Sequence, residues 1–126
     1  MDAVGLSFVH EVSALVVDGE DRGLKDRIML VATGEMGRTP KINKNGGRDH
    51  WARLAPLLLY GGGLEGGQVI GRSDRQGGEP ALDGCDPSHL ISTILHTVFD
   101  PGKLRLKPDA PREVLALSEK PSIPRL

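Results

Sequence analysis

Aromatic residues are nearly missing from this 126-residue chain, at 3%. Any core must therefore be assembled from Leu, Val, Ile and Ala. There is one cysteine, Cys85. That excludes an internal disulfide framework and a cysteine-built structural zinc site, and it leaves the compartment open. Neither sign of charge dominates: the formal net charge is -1, which argues against a general binder of nucleic acid or of a membrane surface. No apolar run approaches the ~20 residues of a membrane span. The opening MDAVGLSFVHEV lacks the basic start and apolar block of an export signal.

What the chain does have is glycine (17 residues) and proline (9 residues), which implies many turns and irregular connections. An apolar fraction of 38% with 26% charged residues is ordinary for a soluble globular chain. The length suits one domain, or part of one, with a modest core.

Leu6, Val9, Val12, Leu15 and Val16 recur at helical spacing across Leu6–Asp18, and Gly23 supplies a stop. The run IMLVAT that follows reads as an interior parallel strand, apolar on both faces. Helix, turn and buried strand is the grammar of an α/β fold. LAPLLLY, Leu54–Tyr60, is a second apolar run that Pro56 demotes towards an edge or a strand start. A third short strand is expected at Gln68–Ile70, and Arg72–Gly84 reads as loop. Asp86-Pro87 is a helix start, with an aspartate cap and proline at the first helical position. Leu90, Ile91, Ile94, Leu95, Val98 and Phe99 then form an apolar stripe that ends at Asp100-Pro101-Gly102. The tail is read as two short strands around Glu119–Pro121.

Between IMLVAT and LAPLLLY lies GEMGRTPKINKNGGRDHW, Gly34 to Trp51. Ordered loops longer than ~12–15 residues tend to be functional or disordered, and in open α/β sheets ligands bind beyond the carboxyl ends of the strands. Glu35 could ligate a divalent metal, and Asp49-His50 adds an oxygen and an imidazole nitrogen; mixed O/N sets suit Zn, Mn or Fe. Arg38 offers a planar fork for phosphate or sulfate. The plainer alternatives stay open. Glu35 could cap a turn or pair with Arg38, His50 could be a packing histidine beside Trp51, and Lys41, Lys44 and Arg48 could be a solvated loop face. His10, His89, His96 and Cys85 are weaker candidates.

With these residues in view, DRGLKDRIMLVATGEMGRTPKINKNGGRDHW and LLLYGGGLEGGQVIGRSD resemble the C-terminal portion of domain-of-unknown-function family 1501, a family assigned to the alkaline-phosphatase-like, or sulfatase-like, superfamily. The resemblance runs from about Asp21 to Phe99. It implies an α/β fold: a partial alkaline-phosphatase-like sandwich, with a mostly parallel sheet and flanking helices. It implies one partial domain over residues 1–126, poorly matched over 1–20 and with a tail at 101–126. It also implies metal-dependent hydrolysis of phosphate or sulfate esters, with Zn, Ca or Mn as the divalent metal of the intact parent.

Carried over residue by residue, Glu35 and His50 are metal ligands, and Asp49 and Arg38 stand behind those ligands or contact the oxyanion; by residue type Asp49 is also a candidate metal ligand and Arg48 a further candidate anion contact. Met36 departs from the His or Asn that commonly follows the acid in sulfatase-like relatives. Nucleophile and early acidic ligand have no counterpart here, so a C-terminal fragment inactive alone is expected; the alternative is a non-catalytic remnant that binds an anion or a protein. The expected partners are a small phosphate or sulfate ester, no nucleic acid and no membrane, with self-association through an exposed sheet edge. Intact family members can be exported, which leaves localisation unassigned.

Overall fold

The computed structural model describes residues 3–82, 84–124 and 126. It contains α1 (Ala3–Asp21), β1 (Met29–Thr33), β2 (Gly37–Arg38), β3 (His50–Trp51), β4 (Leu57–Gly61), β5 (Arg72–Ser73), β6 (Pro80–Leu82), α2 (Pro87–Val98), α3 (Pro101–Arg105) and α4 (Arg112–Ser118). The strands pair two by two, as β1 with β4, β2 with β3 and β5 with β6. The chain forms two compact units, Met1–Ala32 with Leu58–Gly66 and Thr33–Leu57 with Gly67–Leu126.

The first unit holds α1 and most of the β1–β4 pair. Gly23, at φ 63°, takes the left-handed turn that ends α1, and Leu24 N–H donates to the Gly19 carbonyl at 2.8 Å. Tyr60 ties β4 to the helix, its hydroxyl donating to the Val16 carbonyl at 3.3 Å. Partial burial raises the Tyr60 pKa above its ordinary value, and the Glu20 carboxylate adds to this. Where β4 ends, Gly61 has φ 78°. A Cβ there would run into the carbonyls of Ile28 and Lys25, and Gly62 N–H donates to both, at 2.9 and 2.8 Å.

Among the described residues, the second unit holds two small hairpins and three helices. Asp86 caps α2: its Oδ1 accepts from Ser88 N–H at 2.7 Å and His89 N–H at 3.3 Å. The Ser88 hydroxyl, then the His89 ring, hold the Asp86 carboxyl well below the usual carboxylate range. Asp100 both follows α2 and caps α3, accepting from Gly102 and Lys103 N–H at 2.9 and 3.2 Å.

The tightest packing joins α2 to the tail, and it is polar. Ser92 (0% exposed) donates to the Lys120 carbonyl at 2.6 Å. Thr93 (4% exposed) donates to the His89 carbonyl and accepts from Ile123 N–H, both at 2.8 Å. The His96 Nε2 lies 2.8 Å from the Ser118 carbonyl. Three side chains of one helix thus hold backbone groups of the tail. Ile123, 6% exposed, is the one buried large apolar residue among the described residues.

The expected mostly parallel sheet with flanking helices, a partial alkaline-phosphatase-like sandwich, is overturned. Among the described residues there are four helices and short antiparallel strand pairs only. The reason lies in the connection. A parallel partner needs a crossover that carries the chain back to the starting end of the strand. Here residues 34–56 fold locally and return the chain to the finishing end, where the Thr33 hydroxyl donates to the Pro56 carbonyl at 2.9 Å. The chain therefore runs back along β1 until Gly62 meets Ile28. IMLVAT is accordingly not buried on both faces: Met29 to Ala32 are half-buried, and Ile28 and Thr33 are exposed.

Three smaller corrections follow. Gln68–Ile70 forms no strand; Val69 is 96% exposed there. Arg72–Gly84, read as loop, carries the β5–β6 hairpin, whose turn is closed by the Asp74 carboxylate accepting from Gly78 N–H at 2.8 Å. The expected tail strands around Glu119–Pro121 are replaced by α4, because the EVLALS segment suits a helix and the tail's backbone groups bond to side chains of α2 instead of to a strand.

Candidate functional site

The long segment after β1 is an ordered hairpin. Gly37 stands opposite Trp51 and Arg38 opposite His50 in an antiparallel pair. Gly37 allows this approach, since a Cβ there would collide with the Leu54 carbonyl. Two residue pairs are a weak ladder, so the loop between them, residues 39–49, braces itself with side chains. Thr39 N–H donates to the Asp49 carbonyl at 2.9 Å, and Asp49 N–H returns to the Thr39 hydroxyl oxygen at 3.0 Å. At the tip, Asn43 N–H donates to the Gly47 carbonyl at 2.7 Å, and Gly46 turns the chain at φ 78°.

The proposed ligands sort unevenly. Arg38 and His50 are cross-strand partners, so their side chains share one face of the hairpin. Arg38 Nη1 donates to the Arg48 carbonyl at 3.3 Å. Arg48 points its own Nη1 inward, at the carbonyls of Thr39 (2.7 Å) and Pro40. Asp49 accepts from Asn43 Nδ2 at 2.8 Å, so one carboxylate oxygen is used within the loop. Glu35 lies exposed in the bend between β1 and β2 and makes no side-chain hydrogen bond or ion pair among the described residues.

Among those residues, no three His, Cys, Asp or Glu side chains gather closely enough to hold a metal ion. A protein metal site takes three or more such ligands. The divalent metal implied by the resemblance therefore does not fit the described residues as a complete site.

Trp51 anchors the hairpin from behind. Its Nε1 donates to the Gly78 carbonyl at 2.6 Å, which joins β3 to the β5–β6 turn. The neighbouring Arg53 pairs with Glu79 at 3.2 Å. The weaker histidines have structural work: His89 completes the cap of α2, with Nδ1 at 3.0 Å from Asp86, and His96 meets the tail. Sequence reasoning missed the bracing residues Thr39 and Asn43. The available clue was Asn-x-Asn-Gly-Gly, Asn43 to Gly47, since asparagine side chains bond backbone two residues on and glycine takes the left-handed turn.

The family described as Protein of unknown function (DUF1501) matches residues 9–110, which extends beyond the Asp21–Phe99 resemblance at both ends. No curated protein matches, and no solved structure matches. The family match names neither a reaction nor a superfamily. No helix among the described residues is long and apolar enough to cross a membrane.

Proposed function

The chain belongs to the DUF1501 family, and from that premise we propose that its Gly37–Trp51 hairpin is a recognition element for an oxyanion, the charged group of a phosphate or sulfate ester. One observation carries the reading: Arg38 and His50 face the same side of the hairpin as direct partners. The Arg38 guanidinium beside this imidazole repels a metal cation and attracts an anion. With Nη1 of Arg38 turned to the Arg48 carbonyl, Nε and Nη2 form the edge of the fork that matches two oxygens of one anion. The imidazole adds a third donor.

Titration with inorganic phosphate and with sulfate, followed by amide and side-chain NMR shifts, tests this. Binding should shift Arg38 and His50, and Arg38→Ala or His50→Ala should weaken it about tenfold, the scale of one lost charge-assisted hydrogen bond. Shifts elsewhere with neither variant affecting affinity would refute the reading.

A second reading is favoured by Glu35, whose carboxylate has no partner among the described residues. In it, Glu35 and His50 are two ligands of a metal-dependent phosphate or sulfate ester hydrolase of the alkaline-phosphatase-like superfamily, with Zn, Ca or Mn. Further ligands and a nucleophile must then come from outside these residues, and this chain alone is inactive. Metal analysis separates the two readings: Zn or Mn that co-purifies and is lost in both Glu35→Ala and His50→Ala supports the hydrolase, whereas anion binding that persists in Glu35→Ala supports the first.

A further inference from the structure

Asn43 is the one residue from Lys41 to His50 that is not exposed. Its carboxamide is engaged through both its oxygen and its nitrogen. The Oδ1 atom accepts from Asn45 N–H at 2.9 Å and Gly47 N–H at 3.1 Å. The Nδ2 atom donates to Asp49 Oδ1 at 2.8 Å. Its backbone closes the same turn, with N–H to the Gly47 carbonyl at 2.7 Å and its own carbonyl accepting from Gly46 N–H at 3.1 Å. No other side chain in the loop ties its tip to its base. Asp49 precedes His50, so the clamp fixes the backbone that carries the imidazole. It also fixes Arg48, whose carbonyl receives Arg38 Nη1.

We propose that Asn43 is the positioning residue of this site: by clamping the tip of the loop to Asp49, it holds His50 and Arg38 at the separation an oxyanion requires. The proposal rests on the oxyanion reading above. The physical basis is preorganisation. A long loop on a two-pair ladder would otherwise be ordered at the expense of binding free energy.

The clamp has a polarity, which gives a direct test. Asn43→Asp keeps the acceptor for Asn45 and Gly47 but sets two carboxylates against each other where an amide–carboxylate hydrogen bond stood. Asn43→Asp with Asp49→Asn exchanges donor and acceptor and restores that bond. Two readouts are taken on the full chain: affinity for inorganic phosphate, and hydrogen-exchange protection of the Asn45 and Gly47 amides. The single variant should lose about tenfold in phosphate affinity and lose protection at Gly47, and the double variant should regain both. A merely structural role would let the double variant recover the fold without recovering affinity.

Phosphate binding by the native chain that Asn43→Asp leaves intact would overturn the proposal and spare the oxyanion reading. So would a double variant that is protected at Gly47 yet still weak for phosphate. No phosphate binding by the native chain would overturn the oxyanion reading, and with it the role of Asn43. If the single variant does not fold, the double variant alone decides: near-native affinity supports the swapped clamp, and weak affinity in a folded chain overturns it.

Discussion

Thr93→Val isolates the contact on which the α2–tail packing depends. Valine matches threonine in shape but removes the hydroxyl. Two hydrogen bonds go with it. The one donated to the His89 carbonyl, at 2.8 Å, matters little, because a helix carbonyl already has its backbone partner. The other is accepted from Ile123 N–H at 2.8 Å, and this loss matters more. Ile123 is 6% exposed and Thr93 is 4% exposed, so water does not easily replace the hydroxyl.

A buried donor left without a partner costs about 1–3 kcal/mol. Two kcal/mol changes the folded-to-unfolded ratio by roughly thirtyfold, a large share of the stability of a small domain. Urea unfolding followed by circular dichroism should show a lower midpoint with an unchanged slope. The Ile123 amide should lose hydrogen-exchange protection while interior amides of α2 keep theirs. Thr93→Ser, which keeps the acceptor, should cost only about one methyl group, near 0.8 kcal/mol. The reasoning fails if Thr93→Val is as stable as native, or if Thr93→Ser is the worse of the two.

Gly61→Ala should destabilise the β1–β4 pair more than Gly63→Ala does. Both positions are left-handed, at φ 78° and 80°, but only at Gly61 would a Cβ meet backbone carbonyls; equal melting temperatures would contradict the geometry. Asp86 titrates lower in the folded chain than its ordinary value of 3.8. The stability it contributes is therefore complete above that ordinary value and is lost as pH falls below it towards the folded value. Acid titration followed by helical ellipticity should show Asp86→Asn losing less between neutral pH and pH 3 than native; parallel curves would refute the assignment.

Large apolar side chains stand exposed, among them Phe8 (48%), Val17 (58%), Val98 (60%) and Phe99 (47%). Apolar dye binding and a concentration-dependent hydrodynamic size are expected, and a dye-silent monomer at high concentration would contradict this.

Local chemistry was legible where one residue type decides one conformation. Asp86-Pro87 announced the start of α2, because an aspartate cap and a proline without N–H both suit a first helical turn. The spacing of Leu6, Val9, Val12 and Val16 announced α1. Pro56, which demoted the Leu54–Tyr60 run towards an edge or a strand start, directly precedes β4 at Leu57.

The candidate site was half legible. Arg38 and His50 stood out by type, yet twelve positions apart in sequence nothing marked them as partners. Their pairing follows from the register of a hairpin set by Thr39, Asn43 and Asp49. Burial was least legible. The apolar stripe of α2 suggested a core of leucine and isoleucine, whereas the buried residues are Ser92 and Thr93. Their hydroxyls find backbone partners in Lys120 and Ile123, and no local pattern encodes a bond across that separation.

From its own residues, then, the chain settles where α1 and α2 form and which side chains carry the chemistry to meet an anion, because capping, proline and periodicity act within a few residues. Direction of strand pairing, the face on which Arg38 meets His50 and the polar seam between α2 and the tail belong to tertiary structure. Each depends on which distant backbone group a segment reaches once the intervening chain has folded, and that is a property of the whole path.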